Sequence, residues 1–504
     1  MNSLATRQVE VKLQSSGSEP SGAAASASAE RGASGTERWS LIAAGALAVF
    51  YLVSSLYIAR ERPFWTDEIL TVDIAHLPNY ATIWSAVTHA VDGGSPVYDV
   101  LVRWSDQVFG GGEVSARLPS ALAMVAGLLI AFDCARRLTD GLHGLIALCV
   151  LTSSFLPYYG HEARSYALFF MLAALSLWVW LHTSNDSRAS AMLFGAIFFL
   201  AVAMHYYAVL CLAPYVLWEI YCWRRPSRKL IAGAVGAVLP LLLLLPAIVS
   251  FAPVVVAYNR WASPSFASLM DVFPALFPGG LWLLALIAIW IALADNRDKK
   301  VVLQPRQAGE TIGWLFLCIP LVGFAVAELK TNAFLGRYFI GVLPGVAIAA
   351  ACLVWRRFPQ ARRVSLGILL ILAIFGVTKQ VMAIRYPDHY APVRQVLGLE
   401  KTLRDDGKRF FVVCNQARYL EAQHYSNHPN DYVLLASLDS GDLRQTMALA
   451  RYYPMQIWTL NDLRKHTGES AVILPTPRIL NELKEAGFEV EMKFSRPLEV
   501  AYLR

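Results

Sequence analysis

The feature that most constrains this chain is a series of long apolar segments that repeat from Leu41 to about residue 384. Each segment is roughly 17–25 residues long, which is the length an α-helix needs to cross the hydrocarbon core of a bilayer. We predict about eleven membrane-spanning helices on this basis. They lie at 41–58, 118–135, 143–158, 166–182, 190–206, 208–223, 230–252, 278–294, 312–328, 338–355 and 364–384. The predicted fold class is therefore a mainly α, polytopic membrane protein.

Composition and charge support this class. Hydrophobic residues make up 56% of the chain and charged residues only 16%, whereas a soluble domain has about 25% charged residues. The net charge of +7 would suit a nucleic-acid-binding protein. The basic residues, however, cluster in short loops between apolar segments, which is how a membrane protein sets its orientation. We expect membrane lipids as partners and no nucleic acid.

The basic loops also predict which side of the membrane each loop occupies. With eleven spans, all of them fall on one face, which the positive-inside bias identifies as cytoplasmic. Their residues are Arg136, Arg137, Arg188, Arg224, Arg225, Arg228, Lys229, Arg297, Lys299, Lys300, Arg306, Arg356, Arg357, Arg362 and Arg363. The loops at 60–117, 158–166, 253–277 and 329–337, and everything after residue 385, then face outward.

The chain divides into three predicted parts. Residues 1–38 are rich in Ser, Ala and Gly without apolar periodicity, which indicates a disordered cytoplasmic tail. Residues 39–385 form the membrane module, whose outer loop at 60–117 carries two segments with the apolar spacing of amphipathic, membrane-surface helices. Residues 386–504 alternate short β-rich runs with helical stretches, which predicts a small extracytoplasmic α/β domain.

Metal and disulfide chemistry are not indicated. The chain has seven cysteines without a disulfide framework or a Cys-x-x-Cys spacing. His89, His161 and His205 have no partner at zinc-ligand spacing. We expect no metal and no cofactor, although Asp67 and Glu162 are the pair that a divalent cation would use.

Acidic residues instead collect on the outer face. Asp67 and Glu68 follow the first span, and Glu162 lies in the short outer loop before the fourth. The basic residues expected on the same face are Arg117, Arg164, Lys330 and Arg337. A carboxylate can accept a proton from an attacking hydroxyl, and a guanidinium can hold a phosphate bidentately. This combination favours a reaction on a lipid-linked substrate.

Each of these residues also has a purely structural interpretation. Thr66, Asp67 and Glu68 suit the first turn of a helix, where a hydroxyl caps and acids are stabilised. Arg117 and Arg164 suit contacts with lipid headgroups at the membrane interface.

Four segments resemble the polytopic GT-C glycosyltransferases, in the group of the protein O-mannosyltransferases and the lipid A aminoarabinose transferase. They are Phe64-Trp65-Thr66-Asp67-Glu68; Gly94-Ser95-Pro96-Val97-Tyr98 with Ser115-Ala116-Arg117-Leu118-Pro119; His161-Glu162-Ala163-Arg164-Ser165-Tyr166; and Gly336-Arg337-Tyr338-Phe339 before Leu343-Pro344. The resemblance covers roughly residues 40–385, in the family's order and on the expected face.

The resemblance implies a GT-C fold and an inverting transfer of a sugar from a polyprenyl-phosphate donor to a hydroxyl of a lipid, glycan or protein. It implies catalytic roles for Asp67, Glu68 and Glu162, with Asp67 as the base. It implies that substrate is bound by Arg117, Arg164, Tyr166, Lys330, Arg337 and Tyr338, with Arg337 near the donor phosphate. Many relatives have Asn-Pro-Pro or Lys-Pro-Pro where this chain has Gly94-Ser95-Pro96, so a basic phosphate contact is missing there.

Other functions are weighed against this one. A transporter or flippase of lipid-linked sugars usually has charged or broken-helix positions near the bilayer midplane, but spans such as 230–252 and 364–384 have no carboxylate. An O-antigen ligase or polymerase tends to have a large basic outer loop late in the chain, whereas the large loop here is the first and is acidic. The expected location is a bacterial inner membrane, with a role in cell-envelope, including lipopolysaccharide, biosynthesis.

Overall fold

The structure is a computed structural model that describes residues 22–184, 187–222, 225–258, 262–294, 307–359, 361–387, 393–436, 447–494 and 499–503. Within these ranges the chain is mostly helical, with a six-stranded sheet near its C-terminus. The predicted fold class, a mainly α membrane protein with a small C-terminal α/β unit, is confirmed.

Helices occupy the membrane module from end to end. They are α1 (Gly22–Glu61), α2 (Thr66–Ala75), α3 (Tyr80–Thr88), α4 (Pro96–Phe109), α5 (Glu113–Leu138), α6 (Gly141–Ser153), α7 (Leu156–Tyr159), α8 (Tyr166–His182), α9 (Arg188–Met204), α10 (Ala213–Tyr221), α11 (Arg228–Leu243), α12 (Leu245–Tyr258), α13 (Phe266–Leu276), α14 (Gly280–Ala294), α15 (Gln307–Leu315), α16 (Ile319–Val326), α17 (Leu343–Arg357) and α18 (Arg362–Arg385). Short 3₁₀ and π turns, among them Tyr206–Leu212, Ala327–Thr331 and Gly336–Val342, join some of them.

Each apolar segment predicted to span the membrane coincides with one of these helices or with two or more consecutive helices and turns. In the part of the chain that the structure describes, five helices have the length and apolarity of a span, or up to seven if each bent pair is one span. Four further apolar helices are shorter, such as α6 with 13 residues. At 1.5 Å per residue α6 is roughly 20 Å long, so the number of spans stays a prediction.

The first helix differs from the prediction for residues 1–38. Residues 1–21 lie outside the described residues, but α1 begins at Gly22 and continues without a break to Glu61. The structure thus describes residues 22–38 as helical where disorder is expected, and the cytoplasmic tail stays a prediction. Alanine, the strongest helix former, is abundant in this segment and extends the helix backward from the apolar run.

Small residues allow close helix packing inside the module. A side chain at Gly236 on α11 would come within 2.1 Å of the backbone oxygen of Gly195 on α9. Two backbones can approach this closely only where both helices carry glycine, which is a common way to join helices in a membrane.

The outer loop contains the short helices α2, α3 and α4. Side-chain oxygens cap α3 and α4: Asn79 accepts from the Thr82 N–H at 2.9 Å, and Ser95 accepts from the Val97 N–H at 3.3 Å. Gly110, with φ +93°, ends α4 in the left-handed conformation that glycine adopts most easily. The two predicted amphipathic helices are thus present as α3 and α4; their position on a membrane surface stays a prediction.

The C-terminal unit is a mixed sheet with helices α19 (Val393–Asp405), α20 (Gln416–Tyr425), α21 (Leu460–Lys465) and α22 (Pro477–Glu485). Its strands are β1 (Phe410–Val413), β2 (Tyr432–Leu435), β3 (Ile457–Trp458), β4 (Ser470–Ile473), β5 (Val490–Phe494) and β6 (Val500–Leu503), in the order β3-β2-β1-β4-β6-β5. The first four of these pair in parallel, and β6 pairs antiparallel with β4 and β5. Helix α20 packs against α2 of the outer loop.

Candidate active site

Glu68 at the beginning of α2 and Arg117 near the beginning of α5 form a buried ion pair. The two guanidinium contacts are 2.7 Å from Nε to Oε1 and 2.6 Å from Nη2 to Oε2, and neither side chain is exposed. Arg117 also donates to the carbonyls of Ala59, Arg62 and Pro63 at 2.6–3.1 Å. These contacts use all five N–H groups that an arginine has.

The substrate-binding role of Arg117 stays a prediction, and this geometry argues against it. A fully buried guanidinium whose donors are all bonded to protein has none left for a phosphate or a sugar. Arg117 instead joins the start of α5 to the end of α1 and the beginning of α2.

Glu68 is held in its charged form. Burial opposes ionisation, but Arg117, together with Arg62 at 3.9 Å, outweighs it and lowers the pKa of Glu68. The carboxylate also accepts from the backbone N–H of Ala163 at 2.6 Å and of Trp65 at 3.2 Å. A carboxylate with a lowered pKa and both oxygens bonded is a poor base, so the geometry is that of a positioning residue.

Asp67, the next residue toward the N-terminus, has the opposite environment. Its side chain is 28% exposed, and its Oδ2 lies 3.9 Å from Nη2 of Arg337. No hydrogen bond to its carboxylate comes from the residues that the structure describes. Desolvation raises the pKa of Asp67, although the positive charges of Arg164 and Arg337 partly oppose this increase. Asp67 is therefore the carboxylate that remains accessible and basic.

Arg164 ties the elements around Asp67 together. Its Nη1 lies 3.1 Å from the backbone oxygen of Asp67, 3.0 Å from Oγ1 of Thr71 and 3.0 Å from Oδ2 of Asp92. The loop before α8, helix α2 and the turn before α4 thus meet at one guanidinium. The predicted placement of Arg164 beside the acidic residues agrees with this geometry.

Glu162 is buried in the same region without a complete set of partners. The residue is 2% exposed, and its Oε2 has no hydrogen-bond partner among the described residues. Burial, and to a lesser extent the charge of Glu68, raise the pKa of Glu162 to about 7. An unpaired buried carboxyl is costly, and such groups are common where a ligand completes the site.

Arg337 and the aromatic residues near it line the other side of Asp67. The guanidinium is 29% exposed and lies 5.9 Å from the ring centres of both Trp65 and Tyr338. The Tyr338 ring packs 4.9 Å from Tyr207. Arg337 therefore combines a partly free positive charge with aromatic support that holds it beside the carboxylate.

Tyr166 lies deeper than a substrate contact normally does. It is 4% exposed at the first position of α8, and its ring lies 4.9 Å from Tyr159 and 5.4 Å from His205. Tyr166 is therefore buried among the aromatic residues Tyr159 and His205 and does not line the accessible part of the site.

Lys330 is not brought to the acidic cluster. It is exposed in the π turn Ala327–Thr331, and it forms no ion pair or hydrogen bond with any residue that the structure describes. Because nothing orients its long side chain, Lys330 is separate from the group around Asp67.

Three residues near the site were not among the predicted ones. Arg62 donates from Nη2 to the hydroxyl of Tyr158 at 2.9 Å, and Asp92 pairs with Arg164 at 3.0 Å. Asp92 immediately precedes the Gly-Gly-Ser-Pro turn, so its place beside a resembling motif was a usable signal. Arg62 and Tyr158 lie at span ends with nothing in their sequence context to mark them.

Within the described ranges, no group of three or more His, Cys, Asp or Glu side chains is arranged to hold a metal ion. The expected lack of a metal cofactor stays a prediction.

Comparison with known proteins agrees with the resemblance that the motifs indicate. Residues 93–255 match the family described as dolichyl-phosphate-mannose-protein mannosyltransferase. This segment contains Arg117, Glu162 and Arg164; Asp67 and Arg337 lie outside it. No curated protein sequence matches the chain.

The fold is similar to solved structures of ArnT from Cupriavidus metallidurans. The form bound to undecaprenyl phosphate has a TM-score of 0.57, the apo form has 0.59, and both are 12% identical to this chain. Each match covers 92% of this chain and 97% of ArnT. The chain therefore has a GT-C fold of the ArnT type, and the predicted resemblance is confirmed at the level of the fold.

Proposed function

We propose that this GT-C-fold chain is a membrane glycosyltransferase that moves a sugar from a polyprenyl-phosphate donor to a hydroxyl of a lipid, glycan or protein. The observation that carries the proposal is the contrast between two adjacent carboxylates. Asp67 is partly exposed beside Arg337, whereas Glu68 is buried and bonded to Arg117. One accessible base next to one accessible cation is the minimum that this transfer requires.

The chemistry follows from these two groups. Asp67 accepts the proton of the acceptor hydroxyl while the oxygen of that hydroxyl forms a bond to the anomeric carbon. The bond from that carbon to the phosphate oxygen breaks on the opposite face, so the configuration inverts. The lipid phosphate leaves as a stable anion next to Arg337, and no general acid is obligatory. Glycosidases differ because they need two carboxyl groups flanking the bond.

We assign Glu162 to the same site as a second carboxyl. Its buried, unpartnered Oε2 and its pKa of about 7 suit a group that completes its hydrogen bonds with a sugar hydroxyl. Glu68, Arg117 and Arg164 then hold the site in shape.

An apolar groove lined by residues of α3, α4, α9 and α11 suits the lipid part of the donor. It has a volume of about 360 Å³ and lies between the outer-loop helices and the helices of the membrane module. Its lining residues include Ile83, Val97, Val100, Phe199 and Leu243. A hydrocarbon chain is the class of ligand that such a surface binds best. The ArnT structure with undecaprenyl phosphate is consistent with a lipid of this kind.

The chain is an integral membrane protein, as its apolar helices and its fold indicate. We further propose that it resides in a bacterial inner membrane, with the site and the C-terminal unit on the outer face. The basic residues in the last turns of α5 and α17, at the ends far from the site, support this placement.

The proposal is tested by mass spectrometry of envelope glycolipids from cells with and without the gene. We expect one glycan-bearing molecule to lose a sugar. Complementation with Asp67→Asn should not restore it, because an amide cannot accept the proton, whereas Asp405→Asn, at an exposed carboxylate of α19, should restore it fully. Restoration by Asp67→Asn at the wild-type level would rule out the proposed base. An unchanged glycolipid profile after deletion would contradict transfer to a lipid, and an unchanged profile of envelope glycans and glycoproteins as well would contradict the transferase function.

A further inference from the structure

Helix α20 of the C-terminal unit contacts the segment that carries Asp67. The Phe64 backbone N–H donates to the hydroxyl of Tyr425 at 2.6 Å, and that hydroxyl donates to Oε1 of Glu113 at 3.1 Å. One tyrosine hydroxyl thus links the C-terminal unit to the segment between α1 and α2 and to the first turn of α5.

A second contact lies one residue before Asp67. The Thr66 hydroxyl donates to Oε1 of Glu421 at 3.1 Å, and the other carboxylate oxygen of Glu421 pairs with Arg418 on the same helix. Glu421 is buried, with only 5% of its surface exposed. Because this buried carboxylate accepts a hydrogen bond from the membrane module with one of its oxygens, the contact between the two parts is specific.

Aromatic packing adds a third contact at the same place. The ring of Phe64 lies 5.8 Å from His424 in an edge-to-face arrangement, and Phe64 is 3% exposed. Phe64 and Thr66 therefore carry three contacts to α20, two through their side chains and one through the backbone N–H of Phe64.

We infer that Tyr425 and Glu421 of the C-terminal unit are positioning residues for Asp67. The carboxylate of Asp67 has only the distant Arg337 as a described partner, so its position depends on the backbone that carries it. A catalytic group displaced by about 1 Å can lose on the order of a hundredfold in rate. The kinetic part of this inference rests on the proposed function; the structural part does not.

The structural part is tested by hydrogen exchange on the full-length protein in detergent. Tyr425→Phe keeps the ring but removes the hydroxyl that accepts from the Phe64 N–H. We expect peptides covering residues 62–70 to exchange roughly tenfold faster than in the wild type. The matched control is Tyr432→Phe, which removes a hydroxyl that donates to Glu400 inside the C-terminal unit at 2.9 Å and should leave those peptides unchanged.

The kinetic part is tested on the glycolipid product found by mass spectrometry. Tyr425→Phe should lower kcat about tenfold with little change in the KM for the donor, because the base moves while the donor contacts stay. Tyr432→Phe should change neither. A kcat for Tyr425→Phe within twofold of the wild type, with unchanged exchange, overturns the inference.

A second pair of variants decides the matter if Tyr425→Phe folds poorly. Glu421→Gln keeps an oxygen that accepts from Thr66, whereas Glu421→Ala does not. We expect the Gln variant to keep most of the wild-type kcat and slow exchange, and the Ala variant to lose both. Equal behaviour of the two variants overturns the inference. If the wild type transfers no sugar at all, the proposed function fails, and the exchange measurement still decides whether α20 holds the segment.

Discussion

At the scale of single residues, the site depends on the different surroundings of Asp67 and Glu68. Successive residues on a helix point about 100° apart, so two adjacent acids face different neighbours. Glu68 meets Arg117 in the interior, and Asp67 meets Arg337 at the partly open side. Both residues are carboxylic acids. Their different partners make Glu68 a structural carboxylate and leave Asp67 available to a substrate.

Arg337 provides the first test at this scale. Arg337→Ala should lower kcat/KM at least tenfold, since it removes the cation beside the leaving phosphate. Steady-state rates with the identified donor measure this. Arg357→Ala, an exposed arginine at the other end of the same apolar stretch, serves as the control. An unchanged kcat/KM for Arg337→Ala would show that the residue only contacts headgroups.

Glu162 gives a prediction about pH. Its folded pKa of about 7 lies above its ordinary value of 4.5, so the folded state binds the proton more tightly than the unfolded state. Stability from this group is complete below the ordinary pKa and is lost as the pH rises through about 7. The loss amounts to about 3 kcal/mol at most, given about 1.4 kcal/mol per pKa unit.

The measurement compares melting temperatures of the wild type and Glu162→Gln between pH 5 and pH 8. The wild type should lose stability relative to the variant as the pH rises, because glutamine does not titrate. Other buried acids such as Asp99 act on both proteins alike. Parallel pH profiles for the two proteins would show that Glu162 is already ionised at pH 5.

At the scale of elements, Arg117 holds three helices at one point. It lies near the beginning of α5, forms an ion pair with Glu68 on α2, and donates hydrogen bonds to carbonyls at the end of α1. This explains why α2 emerges at a defined place directly after a long membrane helix.

Removing Arg117 should therefore destabilise the protein. Arg117→Ala leaves the buried charge of Glu68 with only Arg62, at 3.9 Å, as a charged partner, and breaking a buried ion pair in this way costs about 3–5 kcal/mol. Thermal unfolding in detergent measures the effect. The double variant Glu68→Gln with Arg117→Met removes the lone charge and should recover part of the loss. If the double variant is less stable than Arg117→Ala, the buried charge is not the cause.

At the scale of the whole molecule, the membrane helices run from the side that carries the site to a side rich in basic residues. Helix α5 has Arg117 near its beginning and Arg136 and Arg137 in its last turn. With 26 residues at 1.5 Å each it is roughly 39 Å long, which is enough to cross a bilayer.

The proposed orientation is tested by cysteine labelling. In a background without the seven native cysteines, Lys330→Cys should react with a membrane-impermeant maleimide added to intact inner-membrane spheroplasts. Arg357→Cys should react only after the membrane is opened. Both positions are exposed, so access and not burial decides the result. The reverse pattern would place the site on the cytoplasmic side.

The apolar segments, the outer-loop helices, the α/β character of the C-terminal unit and the acids around Asp67 could all be predicted from the sequence. They follow from local pattern, because segment length, apolar period and the cost of charge in a membrane act on neighbouring residues. Strand β3, with the two residues Ile457 and Trp458, is too short to show a period in the sequence.

Which charged groups remain available to a substrate depends on the tertiary structure. Arg117 has its donors bonded to protein carbonyls and to Glu68, whereas Arg337 lies beside the partly exposed carboxylate of Asp67. This difference depends on which distant segments approach each arginine. The same holds for the contacts of Tyr425 and Glu421 with the segment before Asp67, which join residues more than 350 positions apart. A local pattern contains no information about such partners, because burial and pairing are properties of the packed chain.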